Sequence, residues 1–254
     1  MADTNVPNPF TSLFWFFIIS SIYFILKYQV TDPTQNKIYA GIYVLLLVVG
    51  EFIINLNLTN TMCGTNQYDT AVFITLFPWL FIFGILYLVL SMFPGWLSPF
   101  SNTFGYAIAK LFGLTNFFND ILKTKLDLGK DSDAASEALE HIYSDKSLLI
   151  NEITQSNIDR FWTNMKFIFK PESYTDENKE ILLSFVRMKN TVSEYIWFML
   201  TGTLVTSVSY NYVVNKGCSQ SVKEMKNRRK AYEKRLEEKQ AANNINPKVY
   251  STTE

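Results

Sequence analysis

Apolar residues gather into four blocks, Phe10–Leu26, Ile38–Leu56, Ala71–Phe93 and Val192–Val214, and none of them holds a Lys or Arg. Each approaches the roughly 17–25 residues that a helix needs to cross the hydrocarbon core of a bilayer. Elsewhere the pattern changes to apolar residues recurring at helical spacing among charges. Phe117, Phe118, Ile121, Leu122, Leu126 and Leu128 form one series, with Gly129 as a stop. Ile158, Phe161, Trp162, Met165, Ile168 and Phe169 form a second, ended by Pro171. Thr175 or Asp176 opens a further helix whose Ile181, Leu182, Phe185 and Met188 lead into the fourth block. No stretch alternates with the period of two that a half-buried strand shows. The pattern predicts an all-α chain: a four-span helical membrane protein with a helical extramembrane insert and a C-terminal charged helix. Residues 1–93 hold the first three spans and 94–113 an interfacial segment. The insert is 114–191, the fourth span 192–214 and the basic tail 215–254.

Punctuation refines this outline. Thr31, Asp32 and Pro33 form a short connection between the first two spans, and the polar run Asn57–Thr70 reads as the loop before the third. Pro78 and Gly84 predict a kink near Pro78. Pro94, Gly95 and Pro99 predict a rigid, non-helical turn whose aromatics lie at the membrane surface, with Trp96 and Tyr106 as interface anchors and Asn102 and Thr103 bonding nearby backbone. Ala107–Leu114 reads as an interfacial helix. Asp131–Asp133 would cap a helix over Ala134–Tyr143. Ser221 and Glu224 form a capping box for a helix running to about Ala242, beyond which the tail needs a partner to order it. No basic residue precedes the first block and no small-residue cleavage pattern follows it, so it reads as a retained span. Ala2 stands where myristoylation needs a glycine.

Averages conceal the segregation of charge. Mean hydropathy is only +0.05, and 23 basic residues balance 23 acidic ones. Most of these charges lie in 110–189 or after 215. Four spans put both termini on one side, with the insert opposite. The basic run Lys216–Lys239 after the last span favours that side as cytoplasmic. Acidic residues interleave with Arg228, Arg229 and Arg235, so the tail reads as a protein-docking or solvated helix, and no specific nucleic-acid binding is expected.

Candidate chemistry is sparse. Cys63 and Cys218 are the only cysteines, and this topology sets both beside span ends on one face. A disulfide there would need an oxidising compartment, against a cytoplasmic tail. Two free thiols, or a palmitoylated Cys218, are the alternatives, and a virion with its own thiol oxidase would remove the conflict. Asn57-Leu-Thr59 is a glycosylation sequon hard against a span, which favours its being unused. Glu51 inside the second span must face other helices, as a hydrogen-bonded glue residue or as a proton or cation site. Ser207, Ser209 and Tyr210 lie at similar depth. Glu194 is expected to be solvated and His141 to sit on the surface. With one histidine, no G-x-S-x-G elbow, no clustered acids in the insert, no paired metal-ligand spacing and no phosphate loop, no catalytic constellation stands out, so no catalytic residue, metal or cofactor is expected and the chain does not read as an enzyme.

Met62-Cys-Gly-Thr-Asn66, Phe77-Pro-Trp79 and the run Phe93-Pro-Gly-Trp-Leu-Ser-Pro-Phe-Ser-Asn-Thr-Phe-Gly-Tyr106 resemble membrane proteins of large nucleocytoplasmic icosahedral DNA viruses that infect algae and amoebae. The resemblance implies an inner-membrane virion protein or membrane-anchored minor capsid protein, reached through host endomembranes during assembly. The expected partners are the bilayer, capsid or other virion proteins and further copies of the chain. Docking is expected through Phe161, Trp162, Met165 and Phe169 and through the tail arginines. A small oligomeric channel or transporter built around Glu51, and an assembly factor absent from the particle, are the alternatives.

Overall fold

The computed structural model describes residues 8, 10–123, 140, 143–215, 218 and 222–245. The chain divides into two compact units, 1–214 and 215–254. Leu126, Leu128, Gly129, His141, Ser221 and the helix expected from Ala134 lie outside the described residues. Among the described residues there is no strand, only an isolated bridge between Leu122 and Phe169.

The first unit begins with α1 (Phe10–Gln29) and α2 (Pro33–Cys63). Asp32 caps α2, accepting the Thr34 N–H at 3.0 Å, and Pro33 sits in the first turn, where its missing N–H costs nothing. α2 does not stop at Leu56. It runs to Cys63 and ends only where Gly64 turns left-handed at φ 66°, its N–H donated to the Asn60 carbonyl. The expected loop Asn57–Thr70 therefore shrinks to the residues between Cys63 and Tyr68. Of the polar residues that suggested a loop, Thr59 is buried while Asn57, Asn60 and Thr61 are exposed on the helix; inside the span, Asn55 is buried and its Nδ2 donates to Thr75 Oγ1 at 3.0 Å.

α3 (Tyr68–Leu76) passes through a π-helical turn, Phe77–Phe83, into α4 (Gly84–Met92). The wider turn accommodates Pro78, which has no N–H to give and whose ring would crowd the preceding turn. Among the described residues, three helical stretches are long and apolar enough to cross a membrane: Phe10–Gln29, Thr34–Cys63 and Tyr68–Leu90.

The segment after Met92 is helical, contrary to expectation. Pro94–Leu97 is 3-10, Ser98–Phe100 a single α-turn and Ser101–Gly105 a π-turn, leading into α5 (Tyr106–Leu111) and α6 (Leu114–Ile121). Pro94 and Pro99 each stand in the first two positions of a short helical piece, so they start turns instead of breaking them. The insert continues with α7 (Lys146–Glu152), capped by Asp145, and α8 (Ile158–Asn164). Its core joins Phe118, Ile121, Ile150, Trp162, Ile168, Phe169 and Leu182, among others.

α9 (Asp176–Asn215) is a single 40-residue helix. The Asn178 N–H donates to Thr175 Oγ1 at 3.2 Å, which caps its start. Its buried residues Leu182, Val186, Lys189, Ser193, Thr201, Val205, Ser209 and Val213 follow one stripe along its length. The first part of that stripe packs into the insert core. The second enters a separate core with Phe16, Tyr23 and Phe24 of α1, Tyr43 and Leu47 of α2 and Trp79 and Phe83 of the π-turn. Val192–Val214, expected as a fourth span, is the later part of α9. It is less apolar than the other three because its stripe carries Ser193, Thr201, Thr206 and Ser209.

In the second unit, α10 (Val222–Ile245) is a charged helix.

Candidate functional site at the membrane junction

The apolar bundle meets the insert along α9. Gly105, at the end of the π-turn, lies so close to Lys189 that a Cβ added to it would sit 2.6 Å from the Lys189 carbonyl oxygen. Glycine is what allows the two backbones to touch. Ser101 Oγ donates to Asn190 Oδ1 at 3.5 Å in the same contact. One turn further, Lys27 of α1 pairs with Glu194 of α9. Glu194, expected in solvent, is thus half-buried and paired, because α1 ends beside it.

Lys189 is 2% exposed. Its Nζ donates to the Ile150 carbonyl at 3.0 Å and to Asn151 Oδ1 at 2.7 Å, and among the described residues no carboxylate pairs with it directly. Burial pushes its pKa down from 10.5 to about 8, with Glu152 opposing weakly. Sequence reasoning missed this residue, since one Lys in a charged helix carries no signal of its partners.

Within the bundle, polar side chains find partners on neighbouring helices. Glu51 is fully buried, and Ser12 Oγ of α1 donates to its Oε2 at 2.5 Å. The residues expected near Glu51 are used elsewhere: Ser209 Oγ donates to the Ile74 carbonyl at 2.9 Å and Ser207 Oγ to the Thr203 carbonyl at 2.7 Å. Ser20 bonds the Tyr43 hydroxyl at 3.0 Å, and Ser21 that of Tyr195 at the same distance. Trp15 lies over Gly50, and Phe16 over Gly202; in each case an added Cβ would enter the ring.

The expected docking stripe lies largely inside. Trp162 and Phe169 are 4% and 1% exposed, with ring centroids 4.4 Å apart, and Phe161 and Met165 pack against the same core. An apolar stripe is satisfied equally by a partner or by the chain's own helices, and here the chain supplies them. Tyr106, expected as an anchor, also packs on this core, whereas Trp96 is 53% exposed. Thr103 Oγ1 donates to the Pro99 carbonyl at 2.6 Å. On α10, Arg229 pairs with Glu233 at 2.7 Å and Arg235 is exposed, while the side chain of Arg228 lies outside the described residues. Cys63 and Cys218 are both in the disulfide form. Thr59 of the sequon is 1% exposed and donates to the Leu56 carbonyl at 2.8 Å. No group of three or more potential metal-ligating side chains occurs among the described residues.

No family model, curated protein or solved structure matches the chain. The viral resemblance rests on its motif residues alone, and Gly105 at the α9 contact belongs to that motif.

Proposed function

We propose that the chain is a structural membrane protein of a virion, anchored in the internal bilayer and presenting its helical insert to capsid proteins. In this reading Val192–Val214 is a fourth span, both termini share one side, and the insert stands on the other. The supporting observation is α9: one unbroken helix contributes to the insert core and to the apolar bundle along a single face. A head joined to its anchor in this way holds a fixed height and orientation over the membrane, which a docking element in a repeated lattice needs, with avidity supplied by many copies. The surfaces left for docking are the insert's outward residues, including Leu148 and Phe167 at 48% and 51% exposure, and the tail helix.

Purified particles, stripped of capsid in steps and treated with protease, test this. The protein is expected to remain with the membrane, and peptides from the insert to be released only after the capsid has gone. Absence from the particles overturns the virion reading.

A further inference from the structure

A groove of about 440 Å³ opens where α1, α5 and α9 meet, beside the Lys27–Glu194 pair. Ile25 and Tyr28 of α1, Ile108 and Phe112 at the end of α5, and Met188 and Tyr195 of α9 line it. Its size falls within the roughly 300–1,000 Å³ usual for small-molecule sites. The Ser21 and Tyr195 hydroxyls in its wall bond each other at 3.0 Å, and the lining is otherwise largely apolar, so an occupant meets mainly hydrocarbon.

The position of the groove selects the occupant. One wall is the last two turns of α1, a helix apolar and long enough to span a membrane. Ile25, on that wall, is 60% exposed. The outer lip is the turn after α5, where Leu111 and Phe112 are 80% and 69% exposed and Gly113 turns left-handed at φ 100°. Two exposed apolar side chains on a tight turn beside a membrane helix suit insertion among lipid tails. The opposite wall, Ile108 and Met188, belongs to the insert side of the junction. The groove is therefore continuous with the lipid-facing side of α1 and reaches beyond it under the insert.

We infer that this groove holds an acyl chain of a bilayer lipid, drawn from the membrane between α1 and the Leu111–Phe112 turn. The inference rests on the membrane reading of the helices and is independent of the virion reading. The bound chain fills the space beneath the insert and ties the head to the membrane surface on the side of α9 occupied by α1.

Full-length protein reconstituted in phosphatidylcholine vesicles, a fraction of whose lipid carries a diazirine on its acyl chain, tests this by irradiation and peptide mass spectrometry. Adducts are expected on Ile108 and Met188, and on Leu45 and Val49, which are 64% and 47% exposed on α2. Met188→Trp and, separately, Thr191→Phe should fill the groove, remove the Ile108 adduct and leave those on Leu45 and Val49 unchanged. Labelled Leu45 and Val49 with bare Ile108 and Met188 would overturn the lipid site, including the case in which a second copy occupies the groove. An Ile108 adduct unaffected by both variants would also overturn it. Absence of label at all four positions would overturn the membrane reading as well.

Discussion

At Gly105 the permitted change is smaller than one methyl group. An added Cβ would meet the Lys189 backbone, which no rotamer can move aside. Gly105→Ala is expected to destabilise the protein by roughly 1–3 kcal/mol, the usual range for overpacking. Gly41→Ala, with open space around its site, is expected to be neutral or slightly stabilising. Thermal unfolding of the two variants in detergent distinguishes these outcomes. Lys189 offers a pH test. Its folded pKa of about 8 lies below its ordinary 10.5, so between those values the unfolded chain binds the proton that the folded one has lost. Stability must then rise with pH across that window, by up to roughly 3 kcal/mol, and the penalty is fully present below pH 8. Lys189→Met should abolish this rise in a comparison of unfolding midpoints at pH 7 and 10. The Ile150 carbonyl retains the Ile153 N–H in that variant, at 3.3 Å, so the substitution does not leave it bare.

Among the elements, the α1–α2 pair carries the test of the channel alternative. Glu51 is enclosed against Ser12. Gln in its place keeps an oxygen able to accept that hydrogen bond, so Glu51→Gln should preserve the unfolding midpoint and leave vesicles as ion-tight as the parent protein does. A flux that the substitution alters would favour the channel reading over the structural one. The three apolar helices were legible because length and composition decide them. The end of α2 was not, since Asn57, Thr59, Asn60 and Thr61 read as loop residues, although Thr59 and Thr61 satisfy their hydroxyls within the helix by donating to the Leu56 and Asn57 carbonyls. The prolines at 94 and 99 were misread for a related reason: proline excludes a helix interior but favours its first turn, and the sequence does not say which turn it occupies. The buried polarity of α9 likewise lowers its hydropathy without excluding it from the bundle.

On the scale of the molecule, two apolar cores share one helix. Trp162 stacks on Tyr174 with centroids 5.3 Å apart and contacts Phe169, all within the insert. Trp162→Ala should cost the insert roughly 3–5 kcal/mol. Because the second core contains no residue of that cluster, hydrogen exchange is expected to accelerate across α7 and α8 while α1 and α2 stay protected. Equal acceleration in both would show that the cores fold as one. The stripe from Phe161 to Phe169, expected as a docking face, packs largely within the insert, since periodicity shows that a face is apolar without showing what covers it.

The unbroken α9 makes residue count a form of geometry. Each residue turns an α-helix by about 100°. One residue inserted between Lys189 and Phe198 would swing the insert a quarter-turn or more around the bundle. Seven inserted residues would restore the phase to within about 20° while lifting the head by roughly 10 Å. The junction thus works as a keyed shaft, whose length can change only in whole pairs of turns if the head is to keep facing the same way.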